Sequence, residues 1–335
     1  MEYFNLKSRY YLTRLSDIEK KIYQQIYNCW ATGGRVASIE LPKDLPQDTD
    51  LKQIVLFIIE DNPHLFHLET NRFQYRRSGT TLTIEAEGIY HEEEYQTLYA
   101  QLIHKVKDIA TQANQYQTDY EKLRFLHDYL AENIKFDPGD SDPRSQTEVH
   151  TIVGALLKNA CACDGYARAF RLLCDYLNLS CIVVSGNSTQ FGRSVPHTWN
   201  YVKINTQVYH VDLTWDSDCI ANGYPVTDYY FLRGDAVFSR DHTWNQKLFH
   251  PCPQDYPRTD PVIASKWELE QYLCDQVKAG NTTILVQLDC QSPGLEALQR
   301  IVGEIIQRNP TVFSKIQHYY VTYQEAINYA EVHFE

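Results

Sequence analysis

Residues 161–167 read CACDGYA. Two thiols stand one residue apart, just ahead of a run with helical apolar spacing. A cysteine at a helix N-terminus meets the positive end of the helix dipole and backbone N–H groups that have no partner within the helix. Both favour thiolate over thiol, and the same N–H groups can hold an oxyanion. Cys163 is the nearer of the two to the helix, and Gly165 admits close approach of a backbone or a substrate. Cys161 lies in the lead-in, packed or partly exposed. Cys163 is therefore the candidate nucleophile among nine cysteines. The ordinary fate of such thiols in a reducing compartment is burial as small apolar side chains. A disulfide joining Cys161 to Cys163 would close a strained short ring.

A thiolate needs a base, and the base needs a group to orient it. HTWNYVKINTQVYHVDLTWD (197–216) reads as a β-hairpin turning at Asn205-Thr206. Ile204 then pairs with Gln207, and Trp199 stands opposite Asp212. His197, two residues from Trp199, shares a face with Asp212 as a diagonal neighbour, about 7–8 Å away by Cα. An odd-length loop would put the two on opposite faces. His210 has the same parity as Asp212 and is the rival base. Cys163, His197 and Asp212 together have the types needed for nucleophile, base and orienter.

The surrounding elements must position these groups. DGYARAFRLLCDYLNL (164–179) is helical, with Ala167, Phe170, Cys174 and Leu177 on one stripe, and Cys163 or Asp164 begins it. CIVVSG (181–186) is a strand. Upstream, residues 15–30 form a helix with Ile18, Ile22, Ile26 and Trp30 on one face, and 35–42 alternate as a strand. Asp48 or Asp50 caps a helix that Pro63 stops. LFHLE, RFQYRR and TTLTIEAEG are short strands, the last two turning at Ser78-Gly79. Helices follow at about 91–115 and 117–134. FDPGDSDPRSQTEVH (136–150) is a loop. Its acidic residues lack the Gly and the terminal Glu that a calcium loop requires. After Pro261 come a helix, a strand, a helix and further strand. Three regions result: 1–95, α+β; 96–260, bearing the candidate site; and 261–335, small α/β.

Composition narrows the function. With 43% apolar and 22% charged residues in 335, the chain is an ordinary globular protein. A net charge of −12 with no basic stretch argues against nucleic acid and anionic membranes. The 25 tyrosines suit core and surface aromatics, or in part a peptide groove. No CxxC pair exists, so a zinc ribbon or a thioredoxin-type site is not supported; no metal and no cofactor is expected. The run MEYFNLKSRYYLTRL lacks a signal-peptide core, and IVLFII (54–59) is too short to span a bilayer, which points to the cytoplasm. Sequence does not indicate an oligomeric state.

Three segments, GALLKNACACDGYARAF, PHTWNYVKINTQVYHVDLTWD and YYFLRGDAVFSRDHTW, closely resemble the transglutaminase-like superfamily in its bacterial form. The matching positions are Cys163, Gly165, Tyr166 and Ala167; His197, Trp199 and Asn200; Tyr209, Asp212, Thr214 and Trp215; and Tyr230, Phe231, Asp241, His242 and Trp244. They cover about residues 120–250. The resemblance implies an α+β, papain-like core in which a nucleophile helix packs on an antiparallel sheet, with an N-terminal α+β and a C-terminal α/β addition. It implies cysteine acyl transfer on protein or peptide amides through Cys163, His197 and Asp212, as a transglutaminase, deamidase or protease. It prefers His197 over His210 as base. Gly165, Tyr166, Trp199, Trp215 and His242 are the residues expected to bind substrate or support the site, His242 as a structural clamp or as a groove wall. Two departures are visible. The paired CxxC zinc ligands of peptide N-glycanases are absent, and no Trp lies between Trp30 and Trp199 to hold an oxyanion. Gln146 and Asn159 are the side chains considered for that second donor. The alternative reading is an inactive transglutaminase-like module that binds protein or peptide.

Overall fold

The computed structural model describes residues 9–43, 45–47, 49–139, 143–190, 193–217, 226–257, 261–289 and 293–335. Cys219, Cys290 and Asp48, and the N-terminal run before residue 9, lie outside the described residues. The fold is mixed α+β.

The first elements are α1 (Tyr10–Thr13), α2 (Asp17–Trp30), β1 (Val36–Glu40), α3 (Leu51–Asp61), β2 (Leu68–Ser78) and β3 (Thr81–Gly88). A capping box between Ser16 and Glu19 starts α2, satisfying N–H groups that the helix leaves open. Ile22, Ile26 and Trp30 are fully buried on its inner face. Asp50 caps α3, accepting from the N–H groups of Lys52 and Gln53 at 3.0 Å. The antiparallel sheet runs β1-β3-β2. LFHLE and RFQYRR are not two strands. Pairing with β3 begins at Leu68 and resumes at Phe73 across an irregularity within the single strand β2.

The middle of the chain holds α4 (Glu92–Ala113), α5 (Asp119–Asn133), β4 (Lys135–Phe136), α6 (Pro143–Glu148), a π-helical turn (Gly154–Lys158), β5 (Ala160–Cys161) and α7 (Cys163–Tyr176). These are followed by β6 (Ser180–Gln190), β7 (Arg193–Ile204), β8 (Gln207–Val211), α8 (Leu213–Ser217), β9 (Phe231–Arg233), α9 (Asp235–Phe238) and β10 (His242–Thr243). The expected loop at 136–150 contains the short helix α6. The antiparallel sheet has the order β10-β6-β7-β8-β9. Helix α7 lies across β6 and β7, and Asn200 of β7 donates from Nδ2 to the Ala167 carbonyl at 2.9 Å. Ala167, Phe170, Cys174 and Leu177 are all buried in this layer. Fully burying a Phe or Leu contributes about 1.5–3 kcal/mol, so the stripe fixes which way α7 faces. Arg168 of α7 reaches back to Glu60 of α3 at 3.6 Å.

The last elements are β11 (Val262–Ile263), α10 (Lys266–Lys278), β12 (Thr283–Leu288), α11 (Leu295–Arg308), β13 (Tyr319–Gln324) and β14 (Tyr329–Phe334). Their sheet runs β11-β12-β14-β13. It encloses a second core around Leu273, Val286, Val302, Ile305 and Val332. The hydroxyls of Tyr229 and Thr322 meet at 2.6 Å, and the Arg233 guanidinium lies over the Tyr329 ring, joining this sheet to the larger core. No helix among the described residues is long and apolar enough to cross a membrane.

One glycine sets the seat of α7. A Cβ on Gly165 would lie 2.5 Å from the Val149 carbonyl oxygen and 2.5 Å from Cys161 Cβ. The close approach is thus to the protein's own chain. Gly165→Ala should cost about 1–3 kcal/mol through overpacking, read as a lower urea midpoint with unchanged slope.

Candidate active site

Cys163 is the first residue of α7. Its preceding N-cap, Ala162, supplies no side-chain cap, so the first-turn N–H groups meet no side chain of that residue. Cys163 is half-buried, whereas Cys161 is fully buried against Gly165. Burial, followed by the nearby charges of Asp164 and Cys163, pushes the Cys161 thiol well above its ordinary value. Cys161 therefore remains a thiol and packs.

The hairpin register follows from its turn. Asn205 takes a left-handed φ of 55°, which Asn tolerates better than most residues, and the two-residue loop pairs Ile204 with Gln207. The last paired residues are Asn200 and Val211, which leaves Trp199 and Asp212 as the next positions. The strand stops there rather than running on to Thr214. Asp212 turns its Oδ1 onto the backbone N–H groups of Thr214 (3.0 Å) and Trp215 (3.3 Å), opening the turn of α8. Its Oδ2 lies 2.6 Å from His197 Nε2. The remaining ring nitrogen of His197, Nδ1, is the one left for Cys163, which helps to raise the imidazole.

Charge reinforces this geometry. Burial disfavours a charged His197. The Asp212 carboxylate, and hydrogen bonds to Asp212 and Cys163, outweigh it and lift the imidazole to about 10. Asp212 is fully buried, which alone would raise it. The His197 charge and the hydrogen bonds from His197 and His242 hold it below the usual carboxylate range instead.

The supporting residues take distinct positions. Tyr166 is fully buried and donates its hydroxyl to the Ile134 carbonyl at 2.6 Å. Trp199 is buried beside His197, with ring centroids 6.1 Å apart, and donates Nε1–H to His210 Nδ1 at 3.0 Å. Trp215 is half-buried, 5.8 Å from the His197 ring and 4.7 Å from the His242 ring. His210 shares the expected parity but is committed elsewhere, to Trp199 and to Asp235 at 2.9 Å. Burial lowers it to about 4, the Asp235 hydrogen bond offsetting only part of that. Gln146 and Asn159 are both exposed, and Asn159 takes the left-handed conformation that ends the π-helical turn.

Sequence reasoning did not anticipate how His242 is used. It lies in β10, beside β6, and its Nε2 is 3.1 Å from Asp212 Oδ2 while its Nδ1 is 2.6 Å from Asp241 Oδ1. The Tyr230 hydroxyl donates to the other Asp241 oxygen. The ring shares the carboxylate that His197 uses. The Asp-His dipeptide was the available signal, but only the fold brings it to Asp212. Two further polar clusters were also missed. His150 Nδ1 meets Asp164 Oδ1 at 2.7 Å beside Cys163, and buried His127 bridges Asp128 (2.9 Å) and Asp216 (3.0 Å). Among the described residues, the cluster His197, Asp212 and His242 is close enough to share a cation. Each of these donor atoms already lies within hydrogen-bond distance of another.

Residues 107–213 match the family described as the transglutaminase-like superfamily. That segment includes Cys163, His197 and Asp212. No curated protein matches the chain. Similar solved structures include a provisionally assigned cysteine protease from Cytophaga hutchinsonii, at 13% identity and a TM-score of 0.29, covering 43% of this chain and 61% of that one. A structure named as a TGase matches at 14% identity and 0.31, covering 53% and 51%. A provisionally assigned protease from Parabacteroides distasonis ATCC 8503 matches at 12% and 0.29, covering 68% and 48%. In each case the match spans less than two-thirds of the other chain. Over residues 107–213 this chain is similar to the transglutaminase-like superfamily.

Proposed function

We propose that the protein is a cysteine acyl-transfer enzyme acting on protein or peptide amides, with a papain-like arrangement of Cys163, His197 and Asp212. The observation that carries this reading is the placement of His197. One ring nitrogen is 2.6 Å from a fully buried carboxylate, and the other is left for a half-buried thiol at a helix N-terminus, which helps to keep the ring protonated.

The chemistry follows from these contacts. The Cys163 thiolate attacks the amide carbon, forming a C–S bond and a tetrahedral oxyanion. The Cys163 N–H at the start of α7 is the donor placed for that oxyanion, the Gly165 N–H being taken by Asp164 Oδ1 at 3.1 Å. His197 gives its Nδ1 proton to the amine nitrogen as the C–N bond breaks, leaving a thioester. Water or a second amine then adds to the thioester carbon and loses a proton to Nδ1. The C–S bond breaks and the thiolate–imidazolium pair returns. Asp212 holds the ring orientation and supports its charge throughout. Transfer to water is deamidation or proteolysis; transfer to an amine is cross-linking.

Iodoacetamide labelling with mass-spectrometric mapping tests the pair directly. At about pH 6.5, Cys163 should label at least about tenfold faster than half-buried Cys29, and His197→Ala should abolish the difference. Equal rates in wild type, unaffected by His197→Ala, would instead favour the inactive binding module. Incubation with a glutamine-containing peptide and a labelled primary amine then separates the acceptors. Cross-linking gives a labelled peptide, hydrolysis an unlabelled acid.

The same pair should shape stability against pH. His197 is raised in the folded state, so its contribution is complete below about pH 6.5 and is lost as pH rises towards about 10. Asp212 is depressed, so its contribution is present above about pH 4 and is lost in acid. The fall in Tm caused by His197→Gln should therefore be largest between about pH 4 and 6.5 and shrink towards pH 10. A fall that is constant across this range would contradict the ion pair.

A further inference from the structure

Asp212 serves two imidazoles. Its Oδ2 lies 2.6 Å from His197 Nε2 and 3.1 Å from His242 Nε2. An ionised carboxylate only accepts, so both nitrogens carry hydrogen. The other nitrogen of His242 faces a second carboxylate, Asp241, at 2.6 Å. Asp241 in turn accepts from the Tyr230 hydroxyl. A neutral imidazole has one N–H, and His242 is asked for two. The ring is therefore an imidazolium clamped between Asp212 and Asp241.

The result is a buried row of alternating charge: imidazolium, carboxylate, imidazolium, carboxylate. His197, Asp212, Asp241 and His242 are each at most 6% exposed. The two imidazole rings are 5.4 Å apart between centroids. Like charges at that distance, both drawing on one carboxylate oxygen, weaken one another's hold on it.

We propose that His242, held by Asp241 and Tyr230, is a positioning residue for the acyl-transfer reaction: it fixes the Asp212 carboxylate and divides its charge, so that His197 releases its proton to the leaving amine. This rests on the reading of Cys163, His197 and Asp212 given above. His242 touches no reacting atom and acts through Asp212. The titratable groups facing it are Asp212, Asp241, His197, Tyr230 and, through its charge, His210. His197 faces Asp212, Cys163 and His242. With His242 uncharged, the whole Asp212 charge falls on His197. The imidazolium is then held more tightly and the leaving amine is protonated more slowly.

The test is the pH profile of Cys163 alkylation by iodoacetamide in the full chain, for wild type, His242→Gln, Asp241→Asn and His197→Ala. Thermal unfolding of each variant accompanies it. The alkaline inflection reports loss of the His197 proton. It should rise by about half a pH unit or more in His242→Gln. Asp241→Asn, which keeps the ring but removes the charge that holds its second proton, should move it the same way. If His242→Gln fails to fold, Asp241→Asn decides alone. An inflection unchanged in the folded variants, with wild type still dependent on His197, overturns the role of His242 and leaves the reading of the three residues intact. A wild-type profile that does not respond to His197→Ala overturns both.

Discussion

A single buried carboxylate constrains much of the molecule. Asp212 has no exposure to water, and an isolated ionised carboxylate in such a place would neutralise rather than remain charged. It stays ionised because four donors converge on it. These are the imidazoles of His197 and His242 and the backbone N–H groups of Thr214 and Trp215. The donors come from β7, β10 and the turn of α8. Removing any one partner from a buried charge costs far more than an exposed contact would. The hairpin register, the position of β10 against β6 and the end of β8 are therefore one linked requirement.

A second buried array braces the same region. His127 of α5 lies between Asp128 and Asp216, and burial is outweighed by hydrogen bonds to both, which lift it to about 9. Asp216, four residues after Asp212, also accepts from the Tyr230 N–H at 3.0 Å and from Thr227. The chain between Asp212 and Tyr230 is thus tied to α5 at one end and, through the Tyr230 hydroxyl, to Asp241 at the other. His210 completes the frame as a neutral ring. It accepts from the Trp199 indole and meets Asp235, which holds the large ring packed beside His197. His127 and His242 thus differ in charge from His210 because their partners differ. Carboxylates on both nitrogens give an imidazolium, whereas an indole donor on one nitrogen requires a neutral ring.

What could be read from the sequence was local or periodic. The Asn205-Thr206 turn sets a two-residue loop, and from it the pairing of Ile204 with Gln207 follows by counting. The apolar stripe of α7 and the cap at Asp50 are local as well. The misreadings come from competition between distant groups. The alternation through Thr214 looked like strand, but the Asp212 side chain takes the Thr214 and Trp215 N–H groups and turns the chain. The break in pairing within β2, the short helix α6 and the π-helical turn before Cys161 leave no distinct periodic mark. The use of His242 depends on β10 pairing with β6, fifty-odd residues earlier in the chain, and no spacing rule encodes that.

The two crowded cysteines illustrate why position alone does not assign chemistry. They are one residue apart, yet opposite in circumstance. Cys161 ends β5, is fully buried, and fills the space that Gly165 leaves by lacking a Cβ. Its surroundings offer a thiolate neither water nor a cation, so burial holds it protonated. Cys163 opens the helix, keeps partial exposure, and helps to raise a histidine whose charge a buried carboxylate supports. The packing role of the first thiol is what seats the second. Cys161 and the Val149 carbonyl press on Gly165, and that contact, with the buried stripe beneath it, determines where α7 begins relative to β7. A larger residue at position 165 or a smaller one at 161 would move the helix start, and with it the distance from Cys163 to His197, without altering Cys163, His197 or Asp212.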